Sequence, residues 1–245
     1  MMQTSLTTPA LARSLSPLRA WRNVLGVTLV GWIVIAVPNF AFFTNVLART
    51  MQHNLVLASL YLDLGFLASS ILAIGLVFWW QRAHGETLAD LGWRKPTTIT
   101  SLVIAVIFGV LWTTTSYFNT PTAPGFLSFS WERLIMAPVG IILALGEELL
   151  FRGFLMEQLR RAGVATWLQI LVSGAAIGSY HGLVGFGYYP LYAVSGFVLF
   201  SIVALIHVLG KRSLTSNLTA HAMAHLFGDP ALTMGILIGA LHHIK

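Results

Sequence analysis

The sequence predicts an all-α, polytopic membrane protein of about eight transmembrane helices, with N- and C-termini both cytoplasmic. Three observations carry that reading. Hydrophobic residues make up 56% of the 245 positions, charged residues only 9%, and the mean hydropathy is +0.79; a water-soluble domain carries about a quarter charged residues. Apolar runs of about 20 residues, each enough to span a bilayer, recur along the chain. The basic residues fall on alternate sides of those runs. Backbone groups in lipid must be bonded within the segment, and long unbroken apolar runs exclude a barrel, so the spans are helical.

Residues 1–22 are polar and basic, are interrupted by Pro9 and Pro17, and read as a disordered cytoplasmic tail. The apolar run that follows is too long for a signal-peptide core and has no clear cleavage site, so it is expected to be retained as the first helix. The expected spans are 24–46, 55–80, 99–119, 134–157, 165–186, 190–209, 213–228 and 230–243, the last two being short. One loop is long, 81–98. Within it "ETLADLGW" places Leu88, Leu91 and Trp93 between charges, which predicts a short amphipathic helix on the inner membrane surface. Residues 120–133 form the expected turn region on the other side. Residues 23–245 therefore make a single membrane-embedded domain.

The net charge of +6 invites a nucleic-acid reading, but its distribution argues otherwise. With a cytoplasmic N-terminus, the inside segments hold Arg13, Arg19, Arg22, Arg82, Arg94, Lys95, Arg160, Arg161, Lys211, Arg212 and Lys245, and the outside segments hold only Arg49 and Arg133. That asymmetry is what the positive-inside rule demands. The basic excess is topological, and no nucleic-acid partner is expected. There is no cysteine, which excludes disulfides, thiolate metal sites and a cysteine nucleophile.

Ionisable groups inside the membrane are costly and mark function. Here they are Asp63, Glu147, Glu148, Arg152, His181, His207, His221 and His225. At about 1.5 Å per residue, counted from the basic helix ends, Glu147 lies roughly 20 Å deep, His181 roughly 24 Å, His221 about 14 Å and His225 about 20 Å. Three helices thus bring a carboxylate and three imidazoles to similar depth. Glu148 precedes Arg152 by four residues, the favourable order for an ion pair on one face. Glu147 points about 100° away and needs a partner on another helix. His221 and His225, at i and i+4, share a face, with Asn217 one turn earlier. A carboxylate beside histidine in a desolvated site suits activation of water, and paired imidazoles suit oxyanion stabilisation or metal binding. Asp63 and His207 read as structural polar packing.

"EELLFRGFL" at 147–155 carries an E-E-x-x-x-R pattern followed by G-F. It resembles the CAAX prenyl endopeptidase and bacteriocin-processing (CPBP) family of intramembrane proteases, and "TLADLGWRK" at 87–95 resembles the stretch that often precedes that core. The family's F-x-x-x-H corresponds to "IGSYH" at 177–181, with Ile177 for phenylalanine, and its H-x-x-x-N to "HAMAH" at 221–225, with His225 for asparagine. The resemblance covers about 85–230. It implies hydrolysis of peptide bonds within the membrane, with Glu147 and His181 activating water, His221 and His225 stabilising the oxyanion, and Glu148 and Arg152 in support. No cofactor is favoured; the departure at 225 leaves open a zinc set of Glu147, His181, His221 and His225. The expected partners are a membrane-associated peptide or protein substrate and the lipid bilayer, in a multi-pass protein of a bacterial inner (cell) membrane.

Other chemistries lack their signatures. There is no H-E-x-x-H and no G-x-S-x-G elbow, and no second intramembrane aspartate is apparent to pair with Asp63. A proton- or ion-coupled transporter is the alternative of another class, since Glu/His chains also relay protons. No matched pair of Gly/Pro-broken helices supports it. A non-catalytic scaffold or immunity factor on the same fold is the third reading.

Overall fold

The structure, a computed structural model, describes residues 14–33, 46–47, 49–95, 98–125, 128–183 and 190–244. It is all-helical, and the described residues contain no strand. The elements are α1 (Pro17–Gly31), α2 (Leu55–His84), α3 (Ile99–Asn119), α4 (Trp131–Glu148), a π-helical turn (Leu149–Leu155), α5 (Met156–Arg161), α6 (Thr166–His181), α7 (Pro190–Leu209), α8 (Leu214–Gly228) and α9 (Ala231–Ile244). Among the described residues, four helices are long and apolar enough to cross a membrane: Leu55–His84, Ile99–Phe118, Trp131–Arg161 and Pro190–Leu209. The other expected spans overlap shorter helices of 14 to 16 residues, the first of them only over 24–31. At 1.5 Å per residue these rise roughly 21–24 Å, less than a hydrocarbon core of about 30 Å. Part of the first expected span, 34–45, lies outside the described residues.

Two local expectations are corrected. The tail expected to be disordered to residue 22 is helical from Pro17. The Ser16 side chain accepts from the Arg19 amide, and proline is favoured in the first turn, where its missing N–H costs nothing. Residues 1–13 lie outside the described residues. The amphipathic helix expected over 86–93 is a series of turns instead. Asp90 accepts from both the backbone and the hydroxyl of Thr87, each at 2.7 Å. Partial burial works to raise the Asp90 pKa, but those two bonds outweigh it and hold the carboxyl below its usual range. Gly92, at φ 85°, turns the chain, and a Cβ there would stand 2.3 Å from the Arg212 carbonyl oxygen. Only glycine permits both. The loop therefore docks on the turn between α7 and α8: the Leu214 amide donates to Gly92 O at 2.8 Å, and Arg94 O accepts from Ser213 and Thr215.

Packing follows small residues. α6 and α7 run antiparallel with Gly174 and Gly178 at their contact, a small-xxx-small pattern that lets backbones approach. A Cβ on Gly178 would meet Phe197 N at 2.6 Å and Ala193 O at 2.7 Å, both rigid backbone atoms. α4 is held between α2 and α8, and α3 lies along α8 in parallel. The outer face of α3, with Ile99, Val103, Ile107 and Leu111 exposed, is the apolar surface a bilayer would cover. Phe151, Leu155, Leu159, Ile177 and Phe200 fill the centre. Gly178→Leu should separate α6 from α7. The expected cost is about 1–3 kcal/mol or more, read as a lowered melting temperature in detergent; an unchanged melting temperature would contradict this packing.

Candidate active site

The helix carrying the E-E-x-x-x-R pattern changes its winding there. After Glu148 it continues as a π-helical turn whose seven residues are all buried; such turns cluster at functional sites. Both glutamates are buried, Glu147 at 7% exposure and Glu148 at 0%, so each needs partners.

Glu148 does more than pair with Arg152. Its Oε1 lies 3.2 Å from Arg152 Nη1 and 2.9 Å from His221 Nδ1, and its Oε2 accepts from Asn217 Nδ2 at 2.5 Å. Arg152 also donates to the Phe200 carbonyl at 2.7 Å. Asn217 Oδ1 in turn meets His207 Nδ1 at 3.0 Å, a helix–helix bond consistent with a packing role for His207. One buried carboxylate thus fixes an arginine, an amide and an imidazole from two helices.

Glu147 finds its partners on other helices. Its Oε1 accepts from the Tyr180 hydroxyl at 2.9 Å. Its Oε2 is buried with no hydrogen-bond partner among the described residues, and His221 Nε2 stands 3.9 Å from it. Because Glu148 occupies His221 Nδ1, that nitrogen carries the proton in the neutral ring and Nε2 carries the lone pair. Two acceptors, Oε2 and Nε2, therefore face each other across a gap. Trp112 stacks on the His221 ring, centroids 5.3 Å apart and planes at 16°, which restricts its rotation.

His225 lies beside His221, ring centroids 5.2 Å apart, and its Nδ1 is 2.9 Å from Asp229 Oδ2. It abuts α4 where Gly140 stands, since a Cβ there would lie 2.5 Å from His225 Cβ. His181 is set by its own helix: Nδ1 meets the Ile177 carbonyl at 2.9 Å, leaving Nε2 for other partners. The Phe200 ring separates His181 from His221, at 4.7 Å and 5.1 Å. Glu147, Tyr180, His181, His221 and His225 all line one cavity of about 510 Å³, with Leu143, Leu199, Phe200, Leu232 and Ile236 among its apolar walls.

Four side chains expected to converge therefore share one cavity, though unequally. His221 is the histidine placed opposite Glu147, and His181 reaches it through the neighbouring Tyr180. Reasoning from the sequence passed over Tyr180, which stands beside His181, and Asp229, which follows His225 by one turn. Asp229 also corrects the expectation that Asp63 has no second aspartate near it. The Thr233 hydroxyl lies 3.0 Å from Asp63 Oδ1 and 3.3 Å from Asp229 Oδ1. Thr233 stands between the two carboxylates, and Asp229 is also engaged with His225. The imidazole and carboxylate donors have zinc-ligand chemistry. Among the described residues, however, no three His, Asp or Glu side chains group as an ion needs.

Residues 129–227 match the family model described as type II CAAX prenyl endopeptidase Rce1-like. That segment is similar to Rce1-like domains of the CAAX prenyl endopeptidase (CPBP) group, as the motifs at 147–155, 177–181 and 221–225 anticipated. The domain class is a protease class, and with the four apolar helices it makes the chain an integral membrane protein. No curated protein and no solved structure gives a significant match.

Proposed function

We propose that the protein is an intramembrane endopeptidase in which Glu147 activates water against a peptide carbonyl. The observation that carries this reading is the pair of opposed acceptors, Glu147 Oε2 and His221 Nε2 at 3.9 Å, inside a cavity whose lining is mainly apolar but also includes Asp63, Ser116 and Thr233. A water molecule, with two O–H groups, satisfies both at once. Glu147 takes its proton as the oxygen attacks the carbonyl carbon, and the tetrahedral oxyanion is met by donors from the cavity wall. His225, anchored through Nδ1 by Asp229, donates from Nε2 when protonated, and His181 lines the opposite side. The proton held on Glu147 then passes to the leaving amine. This assigns His221, not His181, as the partner of Glu147 in water activation. Tyr180 positions the carboxylate.

The same reading takes all eight apolar segments as crossing or entering the bilayer, with both termini on the basic, cytoplasmic side. The alternating Arg and Lys distribution supports it. The substrate is a membrane-associated peptide or protein whose apolar side chains fit the cavity walls. A transporter or a non-catalytic scaffold has no comparable observation in its favour.

The test is cleavage of a quenched fluorescent peptide library by detergent-purified protein, with and without a strong zinc chelator. Cleavage indifferent to chelator is expected. Activity lost to chelator and restored by zinc would overturn the metal-free part of the mechanism, and no cleavage of any peptide would overturn the protease reading. Tyr180→Phe should lower kcat about tenfold or more with little change in KM, because it deletes one hydrogen bond to a charged carboxylate, roughly 1.5–3 kcal/mol. An unchanged kcat would remove Tyr180 from the site.

A further inference from the structure

A second cavity, of about 290 Å³, lies on the other side of the Glu148–Arg152 pair from the catalytic cavity and is lined very differently. Its walls come from the 89–94 turns, the π-helical turn and α5, and the α7–α8 turn, and they carry four arginines, Arg94, Arg152, Arg160 and Arg212, against two acids, Asp90 and Glu157. The acids are already committed. Glu157 is held by Arg160 through two bonds of 2.6 Å and by Arg161 at 2.9 Å, and Asp90 accepts twice from Thr87. The arginines are not fully used. Arg152 is 1% exposed and its Nε is buried without a partner among the described residues; Arg212 donates from Nη2 to Gln169 at 2.8 Å while its Nη1 is likewise buried without one among them. A buried guanidinium N–H with no acceptor is costly, and a phosphate oxygen is the acceptor that arginine forks fit best.

The depth of the cavity indicates the source of that phosphate. Trp93 and Leu88 are about half exposed in the same loop, and Trp167 and Trp79 are exposed on adjoining helix ends. Tryptophans take up the level of the lipid headgroups, and basic pockets between helices at that level bind anionic headgroups. We propose that this arginine-lined cavity is a binding site for the phosphate of an anionic membrane lipid, with Arg94 and Arg212 at its mouth and Arg152 at its inner wall. The inference rests on membrane insertion and is independent of the catalytic reading.

The test uses the full-length protein in neutral detergent, with bound lipid counted by native mass spectrometry during titration with phosphatidylglycerol or phosphatidylcholine. Phosphatidylglycerol should be retained in preference. Arg94→Gln and Arg212→Gln should each weaken it about fivefold, the worth of one basic residue near an anionic headgroup. Asp90→Asn keeps an acceptor for Thr87 and removes a repelling charge, so it should strengthen binding, a gain that misfolding cannot imitate. Arg82→Gln removes equal charge from an exposed site outside the cavity and should leave binding unchanged. Equal losses in Arg82→Gln and Arg212→Gln, or no gain in Asp90→Asn, would overturn the site. Displacement of the lipid by millimolar inorganic phosphate would make free phosphate the ligand and overturn the assignment to lipid.

Discussion

Glu147→Gln is expected to abolish cleavage while leaving the protein folded. The substitution is isosteric, and the glutamine oxygen can still accept from Tyr180. What changes is the atom facing His221: an amide nitrogen that donates replaces Oε2, which accepts. A water can no longer surrender its proton there, and loss of a positioned general base lowers rates by about 10²–10⁴-fold. The fall should appear in kcat, with KM and melting temperature close to wild type, since peptide contacts and packing are untouched. Full activity in this variant would refute a glutamate mechanism outright.

The largest stability effect is expected at the buried ion pair. Glu148→Ala leaves the Arg152 guanidinium, 1% exposed, with the Phe200 carbonyl as its remaining hydrogen bond among the described residues. Removing one partner of a buried pair costs about 3–5 kcal/mol, and here Asn217 and His221 lose their acceptor as well. Glu148→Leu combined with Arg152→Met replaces both charges by apolar groups of similar volume, which is often neutral. The double variant should therefore melt well above Glu148→Ala yet remain inactive, because His221 has lost the carboxylate that sets its tautomer. A double variant as unstable as the single one would show that the pair's other bonds, not its charge balance, hold this region.

The two glutamates differ in how readily the sequence reveals them. The Glu148–Arg152 pair is local, four residues apart on one helix, so its existence follows from helical geometry, and the structure has it at 3.2 Å. The sharing of Glu148 with Asn217 and His221 is not local, and no periodicity encodes which helices become neighbours. Depth counting still gathers Glu147, His181, His221 and His225, because rise per residue is fixed and basic residues mark the helix ends. It cannot rank them, and so it leaves open that His221 rather than His181 faces Glu147. Asp229 was missed because it falls between two apolar runs, where an acid reads as solvated; packing against α2 buries it. The apolar runs marked nearly all the helices. The spacing over 86–93 suggests a helix where there are turns, because amphipathic spacing cannot show that Gly92 must meet the Arg212 backbone.

The central claim is that Glu147 and His221 act on one water molecule from two helices. A double-mutant cycle of Glu147→Gln, His221→Ala and their combination, scored by kcat on a cleaved peptide with melting temperatures as the control for folding, tests it most directly. Residues that act as a unit are non-additive, so the double variant should be no slower than Glu147→Gln alone. Losses that multiply, with the double variant slower by the product of the two, would contradict a shared water and assign the residues separate roles.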